Sequence, residues 1–421
     1  MHALHDNNAR SGAARSADGG DQLTAPQTVQ GLPVVESRRR RARPGELQEQ
    51  YYVICRRQRE ESARPYVVWT IAYDPRYQGG TWVAWNGRYD MSLERARQVL
   101  DERAGGITSP HCDRTRLARA ALTWLTEPGD PALSALLDVC EPEDVLDAIR
   151  SGQLPGQSRC LADARQAHAA AALRRWRLRL PDLPADDAIT GICRANSIRL
   201  ICPEDPQWPD QLDELGDTRP CALWVRGAAD LAAVTERSVA VVGSRAATGY
   251  GVHVAGELAG ELAGQGWTIV SGGAYGIDAA AHRGALGTNG TTNAVLPCGL
   301  DQPYPAGHAG LFDHVTQRGL LVSELPPGSR PTRLRFRDRN RILAALTQGT
   351  VIIEAGLFSG ALNTARHAAA LGRPVMAIPG PVTSAQSAGC HQLIREKRAT
   401  LVTGTDDILD TLSAARPGSP G

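Results

Sequence analysis

The feature that most constrains the fold is an alternation within residues 238–412, where short, nearly continuous apolar runs are separated by helix-like segments. The runs are VAVV (239–242), TIVS (268–271), TNAVLP (292–297), LLVSEL (320–325), VIIE (351–354), PVMAIP (374–379) and TLVTG (400–404). Helical patterns fill most of the gaps, at 253–264, 276–286, 309–319, 339–348, 360–372 and 389–397. A strand that is apolar on both faces needs cover on both faces. The alternation therefore predicts a doubly wound, mainly parallel α/β sheet with right-handed crossovers. Such sheets bind ligands beyond the carboxyl ends of their strands, near the point where strand order reverses. The loops that follow the strands are the place to look for chemistry.

The first loop reads Gly243, Ser244, Arg245, Ala246, Ala247, Thr248, Gly249, Tyr250, Gly251. Glycines admit an anion close to the backbone, Ser244 and free N–H groups can bond phosphate oxygens, and Arg245 adds a guanidinium fork. The order is not that of a dinucleotide fingerprint, and taken alone it fits a purely structural turn equally well. The second loop holds Gly272, Gly273, Tyr275, Gly276 and Asp278 and opens another helix. Two such loops from neighbouring strands make one basin lined by backbone N–H groups. Asp278 is read as capping or orienting the loop, and His282 as a helix residue rather than a base. Tyr275 is open to two uses, stacking on a base or packing. Between the fourth and fifth runs lie six arginines, at 330, 333, 335, 337, 339 and 341. If that stretch is extended, the odd-numbered five share one face, suited to a phosphate backbone. Ser359 and Gly360 open the helix after the fifth run. No GxSxG elbow, HExxH or P-loop occurs. Phosphate-cradling loops without a catalytic set favour a binding protein over an enzyme.

The formal net charge of +1 gives no global basic field, so a nucleic-acid site must be built from local patches. Lys397 is the only lysine, which leaves no Walker-type or Schiff-base lysine elsewhere. The nine cysteines include no CxxC pair and are odd in number, which suits a reducing cytosol and speaks against zinc or a disulfide framework. No secretory signal and no membrane-spanning apolar run is expected.

Residues 1–47 read as a disordered tail with an arginine run at 38–41. Residues 48–105 read as a small α+β module, with strands at 51–55, 65–73 and 81–85 and a helix at 92–104. It holds nine of the twenty aromatics, which fit a small core better than a stacking surface. Residues 113–195 read as short helices, at 115–125, 134–140, 142–152 and 161–180, joined by Pro and Gly turns. The α/β domain is placed at 200–412, and 413–421 as a tail.

The loops, in this order, resemble the DNA-processing protein A family (DprA, also called Smf). The matching stretches are VAVVGSRAATGYG, IVSGGAYGIDAAAH, AVLPCGLDQPYP, LVSELPPG, RNRILAALT, VIIEAGLFSGALNTARHAAALGRPVMAIPGPV and SAGCHQLIREKRATLVTG. The resemblance is strong over about 200–410 and weaker over 113–200, where the family often carries a helical SAM-like domain. It implies an extended Rossmann-like domain, without cofactor or turnover, that binds single-stranded DNA and acts in the cytoplasm. It further implies a homodimer that hands the strand to RecA recombinase during natural transformation. By the same resemblance the contact residues are Gly243, Ser244, Arg245, Gly249, Tyr250, Gly272, Gly273, Gly276, Asp278, Arg337, Arg339, Asn340, Arg341, Ser359 and Gly360. The chain departs from the family pattern at Phe358, where a basic residue often stands, and at Ala306 and Gly307, where a lysine often follows. Tyr275 also occupies a usually small position. The residues after Leu412 leave no room for the family's C-terminal winged helix, and a role on a mobile element is an alternative to transformation. Two rival functions use the same basin. One is a phosphoribohydrolase of the related LOG type, whose PGGxGTxxE loop is missing here. The other is a sensor of a free nucleotide.

Overall fold

The computed structural model describes residues 110–415 continuously, with side chains from Arg114 onward, together with the backbone of five strands between Thr28 and Met91. Those five strands form one antiparallel sheet in sequential order: β1 (Thr28–Val29), β2 (Leu32–Arg40), β3 (Gln50–Arg56), β4 (Tyr66–Asp74) and β5 (Thr81–Met91). The sheet corrects the expectation of an unstructured tail through residue 47. Arg38, Arg39 and Arg40 pair in register with Tyr52, Tyr51 and Gln50. A neighbouring strand rich in β-formers supplies a ladder that local composition does not reveal. The expected helix at 92–104 lies outside the described residues.

Residues 113–203 and 207–421 belong to one compact unit. Its sheet contains β6 (Ile198–Ile201), β7 (Leu223–Arg226), β8 (Ser238–Val242), β9 (Thr268–Ser271), β10 (Thr292–Val295), β11 (Leu320–Ser323), β12 (Thr350–Ile352), β13 (Val375–Ala377) and β14 (Thr400–Leu401). The spatial order is β14-β13-β12-β8-β9-β10-β11-β7-β6. Strands β8 to β14 pair in parallel, and β7 and β6 extend the β11 edge in antiparallel fashion. Along β8, Val239 and Val241 enter the core on one face while Ala240 and Val242 enter the core on the other. This two-sided burial is the reason the strand reads as a continuous apolar run. From β8 the chain lays down β9, β10 and β11 on one side, then returns to the other side for β12 to β14. Strand order thus reverses between β8 and β12.

The arginine-rich stretch is a helix, Arg333–Ala345, and not the extended segment considered from sequence. Thr332 caps it by accepting from the Arg335 N–H at 3.2 Å, and arginine is itself a good helix former. A further helix, Thr405–Ala414, runs into the segment expected as a tail.

The helices Pro110–Leu125, Pro131–Leu137, Pro142–Ser151 and Asp163–Arg177 enclose a core of Leu122, Leu136, Val145, Ile149, Leu173 and Trp176. Proline stands at the start of the second and third, where its missing N–H costs nothing, and Gly152 ends the third in the left-handed conformation at φ 77°. This helical part is joined to the sheet. Trp124 meets Trp224 of β7 edge-on at 5.5 Å, and the helix Asp186–Ala195 leads directly into β6. Among the described residues no helix is long and apolar enough to cross a membrane.

Candidate functional site

The reversal of strand order brings the loop after β8 beside the loop after β12, and an open cavity of about 720 Å³ lies there. Its lining includes Gly243, Ser244, Arg245, Asp278, Arg337, Arg339, Asn340, Ser359 and Gly360, all expected from sequence. Phe336, Leu357 and Gln386, which were not anticipated, also line it, as does Phe358, noted from sequence as a departure from the family pattern.

The loop after β8 is held from below. The Ser244 N–H donates to the Glu354 carbonyl at 2.7 Å, and the Ser244 carbonyl accepts from the Ile277 N–H at 3.2 Å. The Glu354 carboxylate is buried and accepts from the Thr248 N–H at 2.9 Å and the Thr248 hydroxyl at 2.7 Å. The one acid that a LOG-type reaction could draw on from this strand is therefore committed to bracing the first loop. Gly276 bridges the two loops at φ +77°, ψ −125°. A Cβ there would stand 2.3 Å from the Ser244 carbonyl oxygen, so only glycine lets the loops approach this closely.

Asp278 is buried behind this junction. Burial pushes its carboxyl pKa up, while Arg339 and the amides of Ala274 and Gly243 oppose the shift. Arg339 is also buried. Its Nη1 donates to the carbonyl of Gly272 at 2.7 Å and to that of Val295, and burial pushes its guanidinium pKa down to about 10. Gly272 makes room for both side chains, since a Cβ there would stand 2.5 Å from Arg339 Nη2 and 2.6 Å from Asp278 Oδ2. Asn340 Nδ2 donates to the Gly360 carbonyl at 3.3 Å, tying the arginine helix to the loop after β12.

The helix Arg333–Ala345 has two faces with different duties. Phe336, Arg339, Asn340 and Leu343 recur at helical spacing and face the cavity. Arg335 and Arg341 point away from the cavity, Arg335 towards the helical part of the chain and Arg341 towards the residues after β11 and before β7. Arg335 pairs with Glu127 at 3.4 Å. Arg341 pairs with Glu324 at 2.7 Å and donates through Nε to the Thr218 carbonyl at 2.9 Å. Arg341 is buried and does not line the cavity, because a helix turns it away from its neighbours by about 100° per residue.

Five other expected residues stand outside the lining, one of them Gly272, which makes room for Arg339 and Asp278 as described above. Gly249 and Tyr250 begin the helix Gly249–Gly264, and the Tyr250 hydroxyl donates to the Pro379 carbonyl at 2.7 Å. Gly273 packs on Phe312, where a Cβ would stand 2.8 Å from the ring, and Gly276 serves the loop junction described above.

Two arginines remain for a ligand. Arg245 and Arg337 are exposed, and Arg337 has Asp338 as a charged neighbour. The Arg245 guanidinium carbon lies 4.3 Å from the Phe336 ring centroid, an arrangement that fixes a charge over an apolar platform. The helix Ala361–Ala370 opens onto the same cavity with no acidic residue in its first turn, and its first N–H groups donate to Ser359 and Gly360. Phe336 was hidden from sequence reasoning by the extended reading; the spacing 336, 339/340, 343 is the signal that reveals it. Phe358 is fully exposed on the rim. Among the described residues no group of His, Cys, Asp and Glu is arranged to hold a metal ion.

Residues 199–413 match the model of the family described as DNA recombination-mediator protein A. A Mycobacterium tuberculosis (strain H37Rv) protein carrying the name DNA processing protein DprA is 46% identical over 308 residues, 71% of this chain and 75% of that one. Protein Smf of Escherichia coli K12 is 42% identical over 214 residues, covering 51% of this chain and 56% of its own. The crystal structure of DNA processing protein A from Streptococcus pneumoniae is 30% identical, with a TM-score of 0.54, and spans 70% of this chain and 96% of that one. With a matching family model over the sheet, and a relative matched over three quarters of its length, the chain belongs to the DNA recombination-mediator protein A family.

Proposed function

We propose that the chain binds single-stranded DNA in the cavity between the loops after β8 and β12, without catalysing a reaction, and presents the strand to RecA recombinase as a cytoplasmic homodimer. One observation carries the DNA-binding part. Two exposed arginines and a helix start without an acidic residue converge on a cavity whose carboxylates, Asp278 and the nearby Glu354, are both buried in protein contacts. Phosphate is attracted by such a rim, and the apolar walls at Phe336, Leu357 and Phe358 suit bases that are free of a duplex. RecA transfer, dimerisation and a role in transformation come from the family resemblance. The committed Glu354 disfavours a phosphoribohydrolase.

The test is fluorescence anisotropy of the purified chain with matched single- and double-stranded oligonucleotides over a salt series, repeated with nucleoside monophosphates as competitors and with RecA added. Single strands should bind preferentially, with affinity falling steeply as salt rises. Equal binding of duplex, or displacement by one mononucleotide at low concentration, would refute the reading.

A further inference from the structure

Two tyrosines stand beside the cavity without lining it. Tyr304 lies on the loop after β10 and Tyr275 on the loop after β9, so both rise from the carboxyl edge of the sheet. Their rings are 44% and 51% exposed, yet they are held in place. Tyr304 meets Phe336 edge-on at 6.0 Å, and the same Phe336 ring carries Arg245. Tyr275 packs on His308 at 4.5 Å, and His308 is itself buried and donates to the Gly273 carbonyl at 3.0 Å. Gly307 leaves space for Tyr275, since a Cβ there would stand 2.6 Å from the phenol oxygen.

Half-exposed rings on a fixed frame, next to the exposed Arg245 guanidinium, combine the two things a single strand offers. Those are flat base faces and phosphates spaced along a chain. An apolar peptide segment would cover the rings but leave Arg245 uncompensated. Resting on the reading of the cavity as a single-stranded DNA site, we propose that Tyr304, with Tyr275 beside it, forms a stacking ledge for the base adjacent to the phosphate held by Arg245. The strand then leaves the cavity across Phe336 towards the loops after β9 and β10.

The experiment measures binding of a labelled oligothymidylate to the full chain as wild type, Tyr304→Ala, Tyr304→Trp, Tyr275→Ala and Arg245→Ala. It is repeated with oligomers carrying one abasic site at successive positions. Loss of one stacked base costs about 1–3 kcal/mol at such sites. Tyr304→Ala should therefore weaken binding about tenfold, which is about 1.4 kcal/mol, with unchanged melting behaviour. Tyr275→Ala should weaken it less, and Tyr304→Trp should bind as well as wild type. The loss on Tyr304→Ala should vanish against the oligomer whose abasic site falls on the ledge. If Tyr304→Ala binds every oligomer like wild type while Arg245→Ala does not, the ledge is wrong and the cavity reading stands. Equal weakening against all abasic oligomers also overturns the ledge, because it marks a general structural effect. A wild-type chain that retains no oligomer overturns both readings.

Discussion

Arg245 stands in the loop after β8 and Arg341 on the arginine-rich helix, and one pair of substitutions separates their proposed roles. The Arg341 side chain is 6% exposed and its partner Glu324 10%. Its guanidinium donates to the Thr218 carbonyl at 2.9 Å, the Asp338 carbonyl at 3.0 Å and Glu324 Oε1 at 2.8 Å. Arg341→Met keeps much of the stem but leaves the Glu324 carboxylate in a nearly closed site with only the Gly129 N–H, at 3.0 Å, to stabilise it. Removing one member of a buried pair costs about 3–5 kcal/mol, a large part of the roughly 5–15 kcal/mol that holds a typical domain folded. Arg245→Ala, at an exposed position, should change stability by less than about 0.5 kcal/mol. The same change should weaken single-stranded DNA binding by about tenfold or more, since a hydrogen bond to a charged group contributes about 1.5–3 kcal/mol. Urea denaturation followed by tryptophan fluorescence reads the first effect, and anisotropy at fixed salt reads the second. Adding Glu324→Gln to Arg341→Met should recover part of the lost stability, because the stranded charge is gone. If Arg341→Met is as stable as wild type but has lost DNA binding, the assignment of the two faces of this helix is wrong.

Stability should fall in mild acid through His282. Burial, with His308 and Arg339 contributing, pushes its pKa down to about 3 from an ordinary 6.5, so the unfolded chain takes the proton first. The contribution is full above pH 6.5 and is lost progressively as pH falls from there towards 3. His282→Gln should flatten the slope of stability against pH over that window, and an unchanged slope would count against the buried neutral ring. Arg339→Glu should impair folding before it impairs binding, since it places a carboxylate against the Gly272 and Val295 carbonyls and Asp278; a soluble variant with a normal melt would contradict this. Glu354→Ala should free the Thr248 N–H and hydroxyl, cost about 1–3 kcal/mol and weaken DNA binding through the first loop. Release of a free base from nucleoside monophosphates by wild type, abolished in that variant, would instead favour the hydrolase.

The sheet was legible because burial on both faces writes itself as nearly continuous apolar runs, such as Val239–Val242. The rule that ligands gather where strand order reverses pointed to this edge of the sheet, and the cavity between the loops after β8 and β12, the candidate site, lies there. What the sequence concealed is orientation. Glycines at 272, 273 and 276 look alike in a row, yet one accommodates Arg339 and Asp278, one packs on Phe312 and one joins two loops. Capping by Thr332 converts a run of alternating arginines into a helix, and with it the shared face disappears. The strand at Leu32–Arg40 was missed for a related reason, since its partner Gln50–Arg56 lies beyond the local window.

The same helix explains how the helical part of the chain can matter to a site it does not line. Arg335 and Arg341 fasten one face of Arg333–Ala345 to Glu127, Glu324 and Thr218, while Phe336 and Arg339 on the other face set the cavity wall. A shift of the helical part would rotate or slide the helix as a body, because helices transmit displacement along their length rather than absorb it. The residues that fix Phe336 under Arg245 therefore include acids far from the ligand. Neutralising Glu127 should loosen that placement and weaken binding modestly, with no contact to the strand being lost. Arg245→Ala should leave much less for the Glu127 change to do. A double-mutant cycle between Glu127→Gln and Arg245→Ala measures that coupling, and strictly additive effects would show that the two faces of the helix act independently.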